Sequence, residues 1–293
     1  MPSSWDLSSS QSAVTDWLPY WGAPTAAVNQ DYVVTKYIAE FFNTLTSLAY
    51  ILYGIHGIQR YKRHDVGTFS TPNLSYWALI GVGIFSGLYH TTLKYHTQMS
   101  DELSMHLAIG TVLHQLYTFN EPPHIQRRNT AIILGILIPF VIYHCVTDEF
   151  VLHIAMFFSM SWIVGFRTRK VIASRIKEKE RQDKIRSLVT FATWTALGAY
   201  GIWNIDVNFC PTLTKWKQNV GMPWGVLLEL HGYWHLLTAI SSYTFMAVIE
   251  FLLSPDGIHS HGIGFAWPVR AVLHDIAPKQ VAKNLPNGHE KGN

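Results

Sequence analysis

Charge is the first thing this sequence has little of. Asp, Glu, Lys and Arg make up only 14% of its 293 residues, against roughly 25% in an ordinary soluble domain. That shortage argues against a fully water-facing surface and turns attention to the membrane. Cysteine is scarcer still. Cys145 and Cys210 are the only two, which excludes a disulfide framework and a cysteine-rich zinc site. The opening "MPSSWDLSSSQSAVTDW" has neither a basic start nor an apolar core. It does not read as a signal peptide, so the first spanning helix is expected to act as its own insertion signal.

Apolar residues are abundant, at 48%. A spanning helix needs about 20 mostly apolar residues, because the hydrocarbon is roughly 30 Å thick and each residue rises 1.5 Å. Seven stretches qualify: 37–58, 74–93, 101–119, 130–147, 149–168, 186–205 and 225–253. The third is interrupted by Asp101, Glu102, His106 and His114. The fourth and fifth are separated only by "TDE" or so, which predicts a tight helical hairpin. These runs are too long and continuous for barrel strands. The expected class is all-α, a polytopic seven-transmembrane-helix bundle. It would comprise an N-terminal segment (1–36), a membrane domain (37–253) and a C-terminal tail (254–293).

Lys and Arg divide unevenly between the two faces of such a bundle. One face carries Arg60, Lys62, Arg63, Arg127, Arg128, the nine basic residues from Arg167 to Arg186, and four in the tail. The other carries only Lys36, Lys94, Lys215 and Lys217. The positive-inside rule then puts the C-terminus in the cytosol and the N-terminus in the lumen or outside. The basic run "RTRKVIASRIKEKERQDKIR" reads either as a juxtamembrane segment facing anionic lipid or as a solvated loop. A net charge of +3 gives no reason to expect a nucleic-acid partner, and the bilayer is the expected one.

This topology gathers polar residues at one end. His90 closes the second span there, Asp101, Glu102 and His106 open the third, and His231 and His235 open the seventh. Glu40 and Asn43 open the first span on that side, and Trp203, Asn204 and Asp206 close the sixth. Ionisable groups inside spanning helices are costly and usually face the bundle interior.

In "ELHGYWH", His231 and His235 stand four apart and share a helix face. That spacing lets two imidazoles hold one metal. A catalytic zinc takes three protein ligands plus water, and His90 is the best third candidate. His106, His144 and His153 lie near the same end and compete for the role. Fifteen histidines also make an accidental pair at this spacing unremarkable. Ser86, one turn before His90, reads as an oxyanion donor or as a small packing residue. Asp101, in "SDELSM", reads as a proton carrier or as a helix cap. If zinc binds, it lowers the pKa of its water to about 7. Asp101 would then take the water's proton and pass it to a leaving amine, so the expected chemistry is metal-assisted hydrolysis of a lipid ester or amide.

At these residues the sequence resembles the alkaline ceramidases. The matching stretches are "YWG" (20–22), "NQDYVVTKYIAEFFNTLTSL" (29–48), "GLYHTTLKYHTQMSDELSM" (87–105), "WNIDVNFC" (203–210) and "HGYWHLLT" (231–238). The resemblance implies a seven-helix hydrolase of the endoplasmic reticulum or Golgi, with a lumenal N-terminus. It implies cleavage of ceramide, or of dihydro- or phytoceramide, to a sphingoid base and a fatty acid. It places zinc on His90, His231 and His235, and the catalytic roles on Ser86 and Asp101. The wider superfamily includes adiponectin-receptor-like proteins, so a non-catalytic zinc-binding lipid receptor and a degenerate paralogue are the competing expectations.

One departure from the family pattern concerns calcium. The family carries a motif like Asp-Trp-Cys-Glu-x-Asn-Tyr, with a Glu further on. Aligned on Tyr32, the chain has Ala26, Ala27, Val28, Asn29 and Asp31 at those places, and keeps Glu40. Calcium affinity follows the number and charge of oxygen ligands. A weak or absent site is expected, with Asn29, Asp31 and Glu40 as its remnant. The resemblance also implies that the partner of Cys210 is missing, because Val28 stands in its place.

Overall fold

The structure is a computed structural model that describes residues 34–62, 71–221, 223–253 and 264–273. All its regular elements are helical, as the composition leads one to expect. They are α1 (Phe41–Thr46), α2 (Leu48–Lys62), α3 (Thr71–Thr92), α4 (Tyr95–Thr118), α5 (Pro123–Thr147), α6 (Phe150–Arg175), α7 (Lys179–Val220), α8 (Leu230–Leu253) and α9 (Val269–Leu273), with a 3-10 turn at Trp224–Leu228. Among the described residues, α5, α6 and α8 are long and apolar enough to cross a membrane.

The helix α8 is the axis. It is apolar on every side, and Ala239, Tyr243, Ala247, Ile249 and Leu252 are completely buried. A helix of that kind belongs in the middle of its neighbours. Beside it, α2 and α3 approach closely because glycine lets them. A Cβ on Gly83 would stand 2.8 Å from the carbonyl oxygen of Ser47, and one on Gly54 would stand 2.8 Å from that of Tyr76. Small residues at such crossings replace the hydrophobic drive that lipid removes.

The predicted hairpin at 147–150 is present. Asp148 adopts the left-handed conformation (φ 50°) that ends α5. Glu149 then caps α6, its carboxylate accepting from the amides of Val151 (3.1 Å) and Leu152 (2.5 Å). Only Leu137, Phe140 and His144 of α5 are buried, at a spacing that puts them on one face.

Several expectations change. The first span is interrupted at Ser47, whose hydroxyl donates back to the Asn43 carbonyl (2.8 Å). The third starts six residues earlier than expected, at Tyr95, so Asp101 sits in the second turn of α4 and cannot cap it. The sixth, expected over 186–205, is the middle of a 42-residue helix, about 63 Å long at 1.5 Å per residue. Its charged first turns were read as loop. They are helical because Ile185, Leu188, Val189 and Ala192 form a buried stripe beneath the charges. The solvated-loop reading of the basic run fails for the same reason: only residues 176–178 separate α6 from α7.

Arg60 was counted among the charges of the basic face. It is instead buried, paired with the carboxylate of Glu250 and seated over the Phe265 ring (3.8 Å). Tyr76 donates to the same carboxylate at 2.5 Å. Residues 264–273, assigned to the tail, pack into the bundle through Phe265, Val269 and Leu273.

Candidate metal centre

Sequence spacing predicts that His231 and His235 face one way, and the first turns of α8 present them so. The last turn of α3 brings His90 to the same place. The ring centroids of the three imidazoles lie 4.8–4.9 Å apart. One ligand atom from each falls within 4.8 Å of the others. For bonds of about 2.05 Å, a tetrahedral zinc sets its ligands roughly 3.3 Å apart. Small side-chain adjustments cover the difference.

The outer nitrogens of His90 and His235 are held by hydrogen bonds, and that of His231 faces a carboxylate beyond hydrogen-bond reach. His235 Nδ1–H donates to the Asn43 carbonyl (3.1 Å), with Thr46 Oγ1 at 3.0 Å. His90 Nδ1 is bonded to the Glu40 carboxylate, which also accepts from the Asn43 side-chain amide (3.1 Å). His231 Nδ1 faces Asp206 Oδ2 at 3.9 Å. A ring whose Nδ1 is fixed by an oxygen turns its Nε2 inward as a lone-pair donor. Accordingly, His90 Nε2 is buried with no hydrogen-bond partner. The three residues therefore fit a metal of the zinc type, by donor chemistry and by an orphaned nitrogen.

Ser86 and Asp101 adjoin this centre. The Ser86 hydroxyl is 3.0 Å from Ser47 Oγ and 3.4 Å from His235 Nε2. The Asp101 carboxyl faces both Ser86 and His90. All five candidate residues line one cavity of about 1630 Å³, whose wall is mostly apolar. That exceeds the roughly 300–1,000 Å³ of ordinary small-molecule sites. Phe158 and Trp162 of α6 and Leu197 and Tyr200 of α7 form its far side.

Of the expected calcium remnant, Asn29 and Asp31 lie outside the described residues. Glu40 is described, and its carboxylate is engaged with His90 and Asn43 rather than standing apart. Cys145 and Cys210 are both free thiols. His106, His144 and His153, the competing ligands, are not at this centre. They gather around Glu102 in a second group. The supports at Asn43, Thr46 and Asp206 were not assigned roles from sequence. For Asn43 and Asp206 the only signal was position, at the same end of the bundle as the histidines; Thr46 had none.

The family model described as Ceramidase matches residues 22–278. Alkaline ceramidase YPC1 of Saccharomyces cerevisiae is 27% identical over 253 residues, covering 79% of this chain and 78% of its own. Alkaline ceramidase 3 of Mus musculus is 28% identical over 228 residues, covering 76% and 82%. An alkaline ceramidase of Arabidopsis thaliana is 27% identical over 240 residues, covering 76% and 82%. With a family match across most of its length, the chain belongs to the ceramidase family of hydrolases.

Proposed function

We propose that the chain is a zinc-dependent intramembrane amidase that hydrolyses ceramide-type lipids, dihydro- and phytoceramide included, to a sphingoid base and a free fatty acid. The observation that carries this reading is the set of three imidazoles from α3 and α8 converging beside Ser86 and Asp101, with the outer nitrogens of His90 and His235 fixed. A structural zinc needs no serine and carboxylate beside it, which favours turnover over the receptor and degenerate readings. The proposed membrane domain is 37–253 with seven spans, α1 and α2 forming the first. Its N-terminal segment (1–36) is lumenal and its tail (254–293) cytosolic, in the endoplasmic reticulum or Golgi.

His90, His231 and His235 would hold the zinc, which when bound supplies Lewis acidity and an acidified water. The rest falls to the chain. The apolar cavity accepts the lipid tails and excludes bulk water from the amide. Asp101 takes a proton from the attacking water at its carboxylate and returns it to the leaving amine nitrogen. Ser86 Oγ–H donates to the amide oxygen as negative charge builds there. Ser47 Oγ, 3.0 Å away and itself donating to the Asn43 carbonyl, accepts from Ser86 and holds its rotamer until the amide oxygen takes that bond. Glu40 and Asn43 orient His90 and His235.

The test is a ceramide panel assayed on purified protein, with and without a chelator, beside His231→Ala. Amine release that both the chelator and the substitution abolish is expected. Wild-type protein that holds zinc but turns over no ceramide would favour the receptor reading.

A further inference from the structure

A second group of metal-type ligands adjoins the same cavity, which Glu102 and His153 line, and the hydrolysis described above does not use it. Glu102 comes from α4, His144 from the last turn of α5 and His153 from the first turn of α6. One ligand atom from each lies within 4.8 Å of the others. His144 Nε2 is 2.7 Å from Glu102 Oε2, and His153 Nδ1 is 3.8 Å from the same oxygen. The two histidines are buried, His144 at 1% and His153 at 9% exposed, while the Glu102 side chain is 24% exposed.

Hydrogen bonding alone leaves this group incomplete. His153 Nδ1 points toward the carboxylate but is beyond hydrogen-bond reach, and it has no other partner. A buried imidazole nitrogen in that state is costly. The surroundings are organised as though to hold the set. Gln98 Nε2 donates to the other carboxylate oxygen of Glu102 (3.0 Å). The His106 ring packs against His153 (4.7 Å between centroids), and its Nε2 faces the His153 carbonyl (3.3 Å). His106 thus braces the α6 ligand without being one.

We infer that Glu102, His144 and His153 form a second divalent transition-metal site, separate from the three-histidine centre, that ties the α5–α6 hairpin to α4. Two imidazoles and a carboxylate suit zinc and its neighbours and leave a coordination position open toward the cavity. The hairpin has need of such a tie, since α5 buries only three side chains and His144 is one of them. Both the inner and the outer site would then lie at one end of the bundle, with Glu102 next in sequence to Asp101.

The experiment measures zinc per chain in full-length, tag-free protein loaded with zinc and desalted. Two ions are expected in the wild type, one in His144→Ala, one in His231→Ala and none in the double variant. If His144→Ala fails to fold, His153→Gln takes its place, and cobalt(II) loading reads each site through its ligand-field bands. Excess zinc should raise the melting temperature of His231→Ala but not of the double variant. A wild type holding one ion that His231→Ala removes, with His144→Ala and His153→Gln unchanged in metal content, overturns the second site and leaves the proposed amidase intact. One ion removed by His144→Ala alone supports the second site and sinks the first.

Discussion

At one end of the bundle, Arg60, Glu250 and Tyr76 join α2, α8 and α3 in a buried, mutually neutralising set. At the other end, His90, His231 and His235 join α3 and α8 with their inner nitrogens turned toward one another and, at His90, without a partner. The two sets cross-link some of the same helices, and both are out of water. They differ in charge balance. In the first a guanidinium meets a carboxylate, so its charges cancel. The second bonds the outer edges of His90 and His235 and leaves neutral inner edges converging with nothing of opposite charge between them. A buried set whose charges cancel speaks for structure, and one whose lone pairs converge speaks for a cation.

The sharpest way to break this comparison is to unbalance the closed set. Glu250→Gln removes the carboxylate that faces the buried Arg60 guanidinium. Removing one partner of a buried ion pair costs about 3–5 kcal/mol. Thermal melting in detergent should fall by a correspondingly large margin. Zinc content and the rate per folded molecule should stay as in the wild type. Loss of zinc from folded Glu250→Gln protein would show that the two ends are coupled rather than distinct.

The next effect belongs to the open end. On the proposed reading Ser86→Ala removes a donor to the developing oxyanion, worth roughly 10²–10³ in kcat. Zinc content and melting should be unaltered, because Ser86 fills little volume and Ser47 Oγ retains a bond to the Asn43 carbonyl. A large drop in melting with little change in kcat would instead assign Ser86 to packing between α3 and α1.

How much of this was legible in the sequence depends on whether a signal is local. The spacing of His231 and His235 is local, and it holds. The "TDE" hairpin is local, and it holds. The meeting of His90 with that pair depends on which helix ends lie together, and the alternation of apolar runs pointed to it. Arg60 misled because a basic residue near a helix end reads as a surface charge, while its partner Glu250 is 190 positions away. The length of α7 was missed because its outer turns are charged on one side and apolar on the other, so hydropathy averaged over a window cancels. In both misses the deciding contact is between residues that no window holds together. Glu40 was read through its place in a calcium motif, and its carboxylate also meets His90, fifty residues on.

Glu40→Gln tests that second role. The amide cannot hold His90 Nδ1 as a carboxylate does, and outer supports of metal ligands are typically worth 10–100-fold in affinity or activity. Zinc affinity measured in calcium-free buffer should weaken by that factor, while Glu40→Asp retains part of it. An effect that appears only when calcium is present would return Glu40 to the calcium remnant.

The smallest effect lies where packing and the open end meet. A Cβ on Gly232 would stand 2.4 Å from Phe42 Cε1. Phe42 is only partly buried and can give way, so Gly232→Ala should cost near the low end of overpacking, about 1 kcal/mol. But Phe42 precedes Asn43, whose carbonyl fixes His235 and whose amide holds Glu40. Displacing it shifts two supports of the metal centre together. If the open end is as finely propped as the geometry indicates, zinc affinity falls with stability, by roughly fivefold. If melting drops and affinity does not, the supports tolerate movement, and the contrast between a rigid closed set and a poised open one is weaker than the distances suggest.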